Sequence, residues 1–113
     1  MNKIVVVGRV TRNPELKKFE DSGKVLTKIT IAVDRPFKNE KGERETDFIP
    51  VVLWGRKAEV ICQYLKKGGF ISVSGRLQTR NYEDKNGVKK YIAEVVGDDF
   101  QLLGTRNREE NIV

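Results

Sequence analysis

Four aromatic residues stand in unusual company in this sequence. Phe37 lies in Arg35-Pro36-Phe37-Lys38, and Tyr82 follows Arg80-Asn81. Phe48 comes directly after Asp47, and Trp54 is followed at once by Gly55-Arg56-Lys57. The neighbours of Phe37 and Tyr82 are nearly all polar, which leaves those rings no evident core to enter. A ring beside a cation offers a flat π-face and a positive charge together. A ligand made of flat unpaired faces on a flexible anionic chain would use both, and single-stranded nucleic acid is such a ligand. Stacking one base is worth about 1–3 kcal/mol, and each phosphate contact adds a salt-dependent gain from released counterions. A lone aromatic of this kind usually packs instead. The signal is the set of four.

The basic residues suit the same chemistry. Arg76 and Arg80 fall on one side of an alternating segment, about 13 Å apart at roughly 3.3 Å per residue. Such a pair can follow successive phosphates. Arg35, Lys38, Arg56 and Lys57 flank the candidate rings. Lys17, Lys18, Lys85, Lys89 and Lys90 are weaker candidates, because charges in loops usually serve solubility. The net charge of +6 comes from 22 Lys/Arg against 16 Asp/Glu. Each half of the chain carries the same excess, so the charge belongs to a folded surface and not to a basic tail.

Other chemistry lacks its residues. Histidine is absent and Cys62 is the only cysteine. Zinc sites, Ser-His triads and Cys-His dyads are therefore excluded, and no internal disulfide can form. Glu15, Glu20, Asp21, Glu43, Asp47 and Glu83 sit among Lys, Asn and Gly, as solvated surface carboxylates do. No phosphate-cradling loop or dinucleotide fingerprint occurs. The expectation is a binding module, not an enzyme, without metal or cofactor. No apolar run approaches the roughly 20 residues that span a bilayer, and the start Met1 to Val7 is too short for a secretory signal. Cytoplasmic residence, without a membrane, is the reading.

The elements that must hold these residues are mostly strands. Residues 3–11 open with the apolar block Ile4 to Val7, in which Gly8 predicts a bulge or bend. In residues 25–33, Val25, Thr27, Ile29, Ile31 and Val33 alternate with Leu26, Lys28, Thr30 and Ala32, the period of a sheet with one face on a core. Residues 35–45 read as a polar hairpin arm. Residues 48–54 form a third segment, where Pro50 implies an edge or a bulge. Residues 56–67 carry Ala58, Ile61, Cys62 and Leu65 on one helical stripe, stopped by Gly68-Gly69. Residues 70–80 alternate again, with Ile71, Val73 and Leu77 inward. Asn86-Gly87 marks a hairpin into a last segment ending near Leu103. Tyr64, Phe70, Tyr91 and Phe100 read as core or interface residues. Three strands, a helix and two more strands is the element order of the OB-fold, an all-β, five-stranded, partly open barrel whose face binds oligonucleotides. Residues 1–104 are the domain, and 105–113 a short polar tail.

The residues also carry a family resemblance. Asn2-Lys3-Ile4-Val5-Val6-Val7-Gly8-Arg9-Val10, with Asn13-Pro14-Glu15 next, resembles the opening of bacterial single-stranded DNA-binding proteins. Thr30 to Val33, Asp47 to Glu59, Tyr64 to Gly68, Val73 to Tyr82 and Tyr91 to Val96 extend the match, in order, over about residues 2–104. The resemblance implies an OB-fold homotetramer that coats single-stranded DNA in replication, recombination, repair or DNA uptake. It also places the family's stacking aromatics on Phe37, Phe48, Trp54 and Tyr82. Two of those positions are commonly Trp in the family and are Phe here, which implies weaker stacking per base. Family members usually continue through a long linker to an acidic tip that recruits replication and repair proteins. Here Glu109-Glu110-Asn111-Ile112-Val113 is at most a faint version of that tip, so the resemblance implies little recruitment.

Two alternatives belong to other classes. A protein-bridging adaptor of the primosomal replication protein N sort would bind single-stranded DNA weakly, and the four rings argue against it. A cold-shock type RNA binder would concentrate aromatics and basics into short motifs on adjacent strands, and no such motif is present.

Overall fold

A computed structural model of the chain describes residues 1–104. The acidic-apolar stretch Glu109–Val113 and the rest of the expected tail lie outside the described residues. Six strands and one helix follow in the order β1 (Ile4–Val10), β2 (Leu16–Lys18), β3 (Val25–Lys38), β4 (Arg44–Trp54), α1 (Arg56–Tyr64), β5 (Phe70–Glu83) and β6 (Lys89–Gly104). The sheet order is β1-β5-β6-β4-β3-β2, and β1 also pairs with β3. That last pairing closes five strands into the OB barrel, with β2 appended. The five expected strands and the helix are all present. Strand β2 is an addition that three exposed residues, Leu16-Lys17-Lys18, did not announce.

Closure is economical. β1 runs beside β5 from Ile4 to Arg9, then meets β3 only at Arg9 and Val10. β4 and β6 lie parallel and pair only at Val51↔Val95 and Val52↔Val96. The barrel is thus sealed by two short seams and held by two long antiparallel hairpins. Gly8 makes no bulge: its neighbours keep continuous register with β5. A Cβ there would collide with the carbonyl of Ala32 and the Ile31 side chain, so glycine serves the close approach of β1 to β3. The bulges lie instead at Phe70/Ile71 and Ser74/Gly75, and the β3–β4 register shifts between Asp34 and Lys38.

The interior is built from Ile29, Ile31, Val51, Leu53, Ile71, Val73 and Val95, with Val6 and Val10 from β1. Alternation in β3 buries Thr27, Ile29 and Ile31 as expected, although Leu26 and Ala32 on its other face are buried too. The apolar block of β1 is only half buried, since Val5 and Val7 are exposed. Leu77 is likewise exposed, lying beyond Gly75, where the pairing of β5 with β1 ends. Ile61 and Leu65 plug the core from the helix side.

The helix is shorter than its apolar stripe predicts. Leu65 is already extended, and the chain behind it is tied to the end of β1. Lys67 N–H donates to Asn13 Oδ1 at 2.8 Å, Gly68 N–H to the Val10 carbonyl, and Val10 N–H to the Gly69 carbonyl. Lys66 and Lys67 therefore lie beyond the last helical turn. Pro50 lies in an interior strand, not at an edge, but next to the point where β4 parts from β6. No helix among the described residues is long and apolar enough to cross a membrane.

Candidate nucleic-acid interface

Register decides which side chains share a surface. Val51 and Val95 pair and are at most 1% exposed, so their side of β4 and β6 faces the core. The adjoining pair Val52↔Val96 then lies on the side away from that core, although Val52 is itself covered there, at 4% exposure. Along β4 that face carries Phe48, Pro50, Val52 and Trp54, by the period of two. Phe48 and Trp54 are six residues apart, about 20 Å at roughly 3.3 Å per residue.

Across β6 the same face continues onto β5. Arg76 pairs with Val96, Gln78 with Glu94, Arg80 with Ile92 and Tyr82 with Lys90. Directly opposed residues share a side, so Arg76, Arg80 and Tyr82 lie on the same side of the sheet as Phe48 and Trp54, with the buried Val52 between those two rings. The rings are open to solvent: Phe48 is 63% exposed, Trp54 45% and Tyr82 47%. Phe37 is the most exposed ring, at 78%, near the tip of the β3–β4 hairpin. That hairpin turns through Asn39, whose Oδ1 accepts the N–H groups of Lys41 and Glu43. It is the polar arm expected from residues 35–45.

A depression of about 360 Å³ opens on the same face, lined among others by Arg12, Asn13, Lys28, Thr30, Pro50 and Glu94. It lies along β4 between Phe48 and Trp54.

The candidate cations are not equally available. Arg35 is clamped across the hairpin: Nη2 lies 2.9 Å from Asp47 Oδ1, Nε 3.1 Å from Asp47 Oδ2, and Nη1 meets Glu45 Oε2. The Arg35 hydrogen bond holds the Asp47 carboxyl below its ordinary pKa, and Asp47 in turn raises that of Arg35. Arg56 pairs with Glu59 at 3.3 Å, one helical turn away. Arg80 approaches Glu94 at 4.0 Å, the loosest of these pairs. Arg76 donates to the neutral Gln78 at 3.0 Å. Lys38 and Lys57 have no carboxylate within 4.0 Å among the described residues. Asp34 adds a further acid here. It is held below its ordinary pKa chiefly by the Thr46 hydroxyl, then by the charge of Arg9.

The reading of Tyr64 and Tyr91 as core or interface residues is narrowed by their exposure, 63% and 75%: neither belongs to the core of the chain. Tyr91 pairs with Asn81 and therefore lies on the arm face opposite Tyr82. Its alternation continued a buried strand in sequence, but the arm has no core beneath it. Phe100 does pack against the core.

One ring escaped the sequence reading. Phe19, in the turn between β2 and β3, stacks beside Trp54 with centroids 6.0 Å apart and planes 19° from parallel. Its neighbours Lys17-Lys18-Phe19-Glu20-Asp21 are as polar as those of Phe37, so the same criterion would have found it.

Comparison with known proteins gives one consistent result. The sequence model described as the single-strand binding protein family matches residues 1–103. "Single-stranded DNA-binding protein 1" of Clostridium acetobutylicum is 51% identical over 94% of this chain and 96% of its own length. "Single-stranded DNA-binding protein" of Clostridium tetani is 45% identical, covering 98% of this chain and 76% of the relative. Its namesake in Streptococcus mutans is 46% identical over 97% of this chain and 66% of its own length.

Proposed function

The chain belongs to the single-strand binding protein family, and from that premise we propose that it coats single-stranded DNA without sequence preference. Bases stack on Phe37, Phe48, Trp54 and Tyr82, while Arg76, Arg80, Lys38 and Lys57 neutralise the backbone between them. Arg35 and Arg56 contribute to the extent that they leave their carboxylates. The observation that carries this reading is the shared sheet side of Phe48, Trp54, Arg76, Arg80 and Tyr82, set by the register of β4, β5 and β6. Stacking tolerates any base because every base has a π-face. The protein is a binder and not an enzyme, and the relatives' names do not favour the adaptor alternative.

The reading extends to organisation and setting. Residues 1–104 form the DNA-binding domain and 105–113 a short tail. The active form is a homotetramer in the cytoplasm, associated with the nucleoid during replication, recombination, repair or DNA uptake. Support for assembly comes from β1. Its Ile4–Gly8 stretch pairs on one edge only among the described residues, and Val5 and Val7 are exposed on it. An apolar strand with an open edge is a surface that natural proteins cover.

Trp54 is the only tryptophan, so its fluorescence reports the site directly. Poly(dT) at low salt should quench it, added salt should reverse the quenching, and duplex DNA should compete poorly. Unchanged fluorescence with poly(dT) at low salt would overturn the proposal. Sizing with and without dT oligomers tests the tetramer, and RNA of matched sequence tests the preference for DNA.

A further inference from the structure

Trp54 ends β4 and is followed by Gly55, whose φ of 69° turns the chain into α1. A ring at such a strand end has neighbours on few sides. The nearest aromatic comes from a separate element, the β2–β3 turn. There Phe19 N–H donates to the Lys24 carbonyl at 2.8 Å, and Gly23 N–H donates back to the Phe19 carbonyl at 2.8 Å. The turn therefore fixes the Phe19 backbone at both ends. Its side chain lies 6.0 Å from the indole and nearly parallel to it, within the range of about 4.5–7 Å where aromatic pairs attract. Lys17 Nζ sits 5.2 Å from the centroid of the same Phe19 ring, a cation–π contact that holds it further. Beside the indole, Lys24, Val25 and Gly55 bound a shallow recess.

We infer that Phe19 is a positioning residue for base binding: it backs the indole of Trp54, fixes its plane and leaves one face to receive a base in the recess beside Lys24. This inference rests on the reading of Trp54 as a base-stacking ring. A ring immobilised before the ligand arrives has already lost the rotamer freedom that binding would otherwise remove. Phe19 thus strengthens DNA binding through Trp54 without a phosphate contact of its own.

The test uses the full chain and dT oligomers, with Trp54 emission as the readout. Phe19→Ala should weaken dT binding about two- to tenfold and reduce the fractional quenching of Trp54. The salt slope should stay that of the parent. Phe19→Leu, which retains bulk without a flat face, should behave like Phe19→Ala, and Phe19→Tyr should restore both affinity and quenching. Melting temperatures measured alongside show that each variant is folded. Parent-like affinity and quenching in both Phe19→Ala and Phe19→Leu would overturn the inference while leaving the proposed function intact. So would a weakened Phe19→Tyr, or a reduced salt slope, which would signal a direct backbone contact. A parent protein whose Trp54 ignores poly(dT) would instead remove the functional reading itself.

Discussion

The guanidinium of Arg35 grips the carboxylate of Asp47 across the β3–β4 hairpin, with Nη2 2.9 Å from Oδ1 and Nε 3.1 Å from Oδ2. Glu45 takes the remaining side through Nη1. A cation held by two carboxylates offers little to a phosphate until one of them leaves. The hairpin thus carries Phe37 at its tip and a masked charge at its base.

Removing the mask should reveal the charge. In the double variant Glu45→Gln/Asp47→Asn, Arg35 is free, so dT affinity should rise at low salt. The log–log salt slope should steepen by about 0.7 for the added phosphate contact on a single strand. Binding titrations across a salt series check this, and an unchanged slope would place Arg35 off the DNA path.

Acid should loosen the same pair. Asp47 is held below its ordinary carboxylate value by the Arg35 hydrogen bond. A carboxyl whose pKa is depressed in the fold stabilises it at pH above the unfolded value, and that contribution is lost as pH falls through the folded value. Melting temperatures of the parent and Asp47→Asn should therefore differ near neutral pH and converge as the pH falls through the depressed Asp47 value. A constant difference would mean that the pair does not form in solution.

Arg76 and Arg80 share the ring-bearing face but differ in company. Replacing either by Ala should weaken binding equally on every sequence and flatten the salt slope by about 0.7. Arg76 faces only a neutral Gln78, whereas Arg80 approaches Glu94. The Arg76 change should accordingly cost more affinity. A variant that gained a base preference would contradict a phosphate role.

Rings and core should separate cleanly under truncation. Trp54→Ala or Phe48→Ala should cost about 1–3 kcal/mol of dT binding, with small effects on folding because both rings are exposed. Ile31→Ala or Leu53→Ala, at fully buried positions, should cost about 2–5 kcal/mol of stability. Denaturant unfolding beside dT titration distinguishes the two. If Trp54→Ala chiefly lowered stability, its ring would be a packing residue.

The β1 crossing should tolerate no side chain. Gly8→Ala would drive a methyl against the Ala32 carbonyl and Ile31, with an expected loss of about 1–3 kcal/mol in denaturant melts. An unaffected variant would show that β1 and β3 are not pressed together there.

Much of this protein is legible in its residues taken in order. Thr27, Ile29 and Ile31 alternate because a half-buried strand requires it, and Ala58 and Ile61 repeat at helical spacing because one face of α1 is buried. Phe37 and Tyr82 were selectable because a ring among polar neighbours has no local core. These are signals that a short window of chain contains.

What the windows lack is who stands opposite whom. Leu16–Lys18 is a strand only because Val25–Thr27 offers it an edge. Tyr91 alternates like a buried residue yet lies on an arm that has left the barrel, and α1 stops early because β1 claims the backbone behind Leu65. Composition shows that Arg35 is charged, but only the fold sets Asp47 and Glu45 against it. The same holds for Phe19 and Trp54, which are distant in sequence and become neighbours only when β2 adds to β3. Local periodicity follows from backbone geometry, whereas register between remote strands is a cooperative outcome of the whole core.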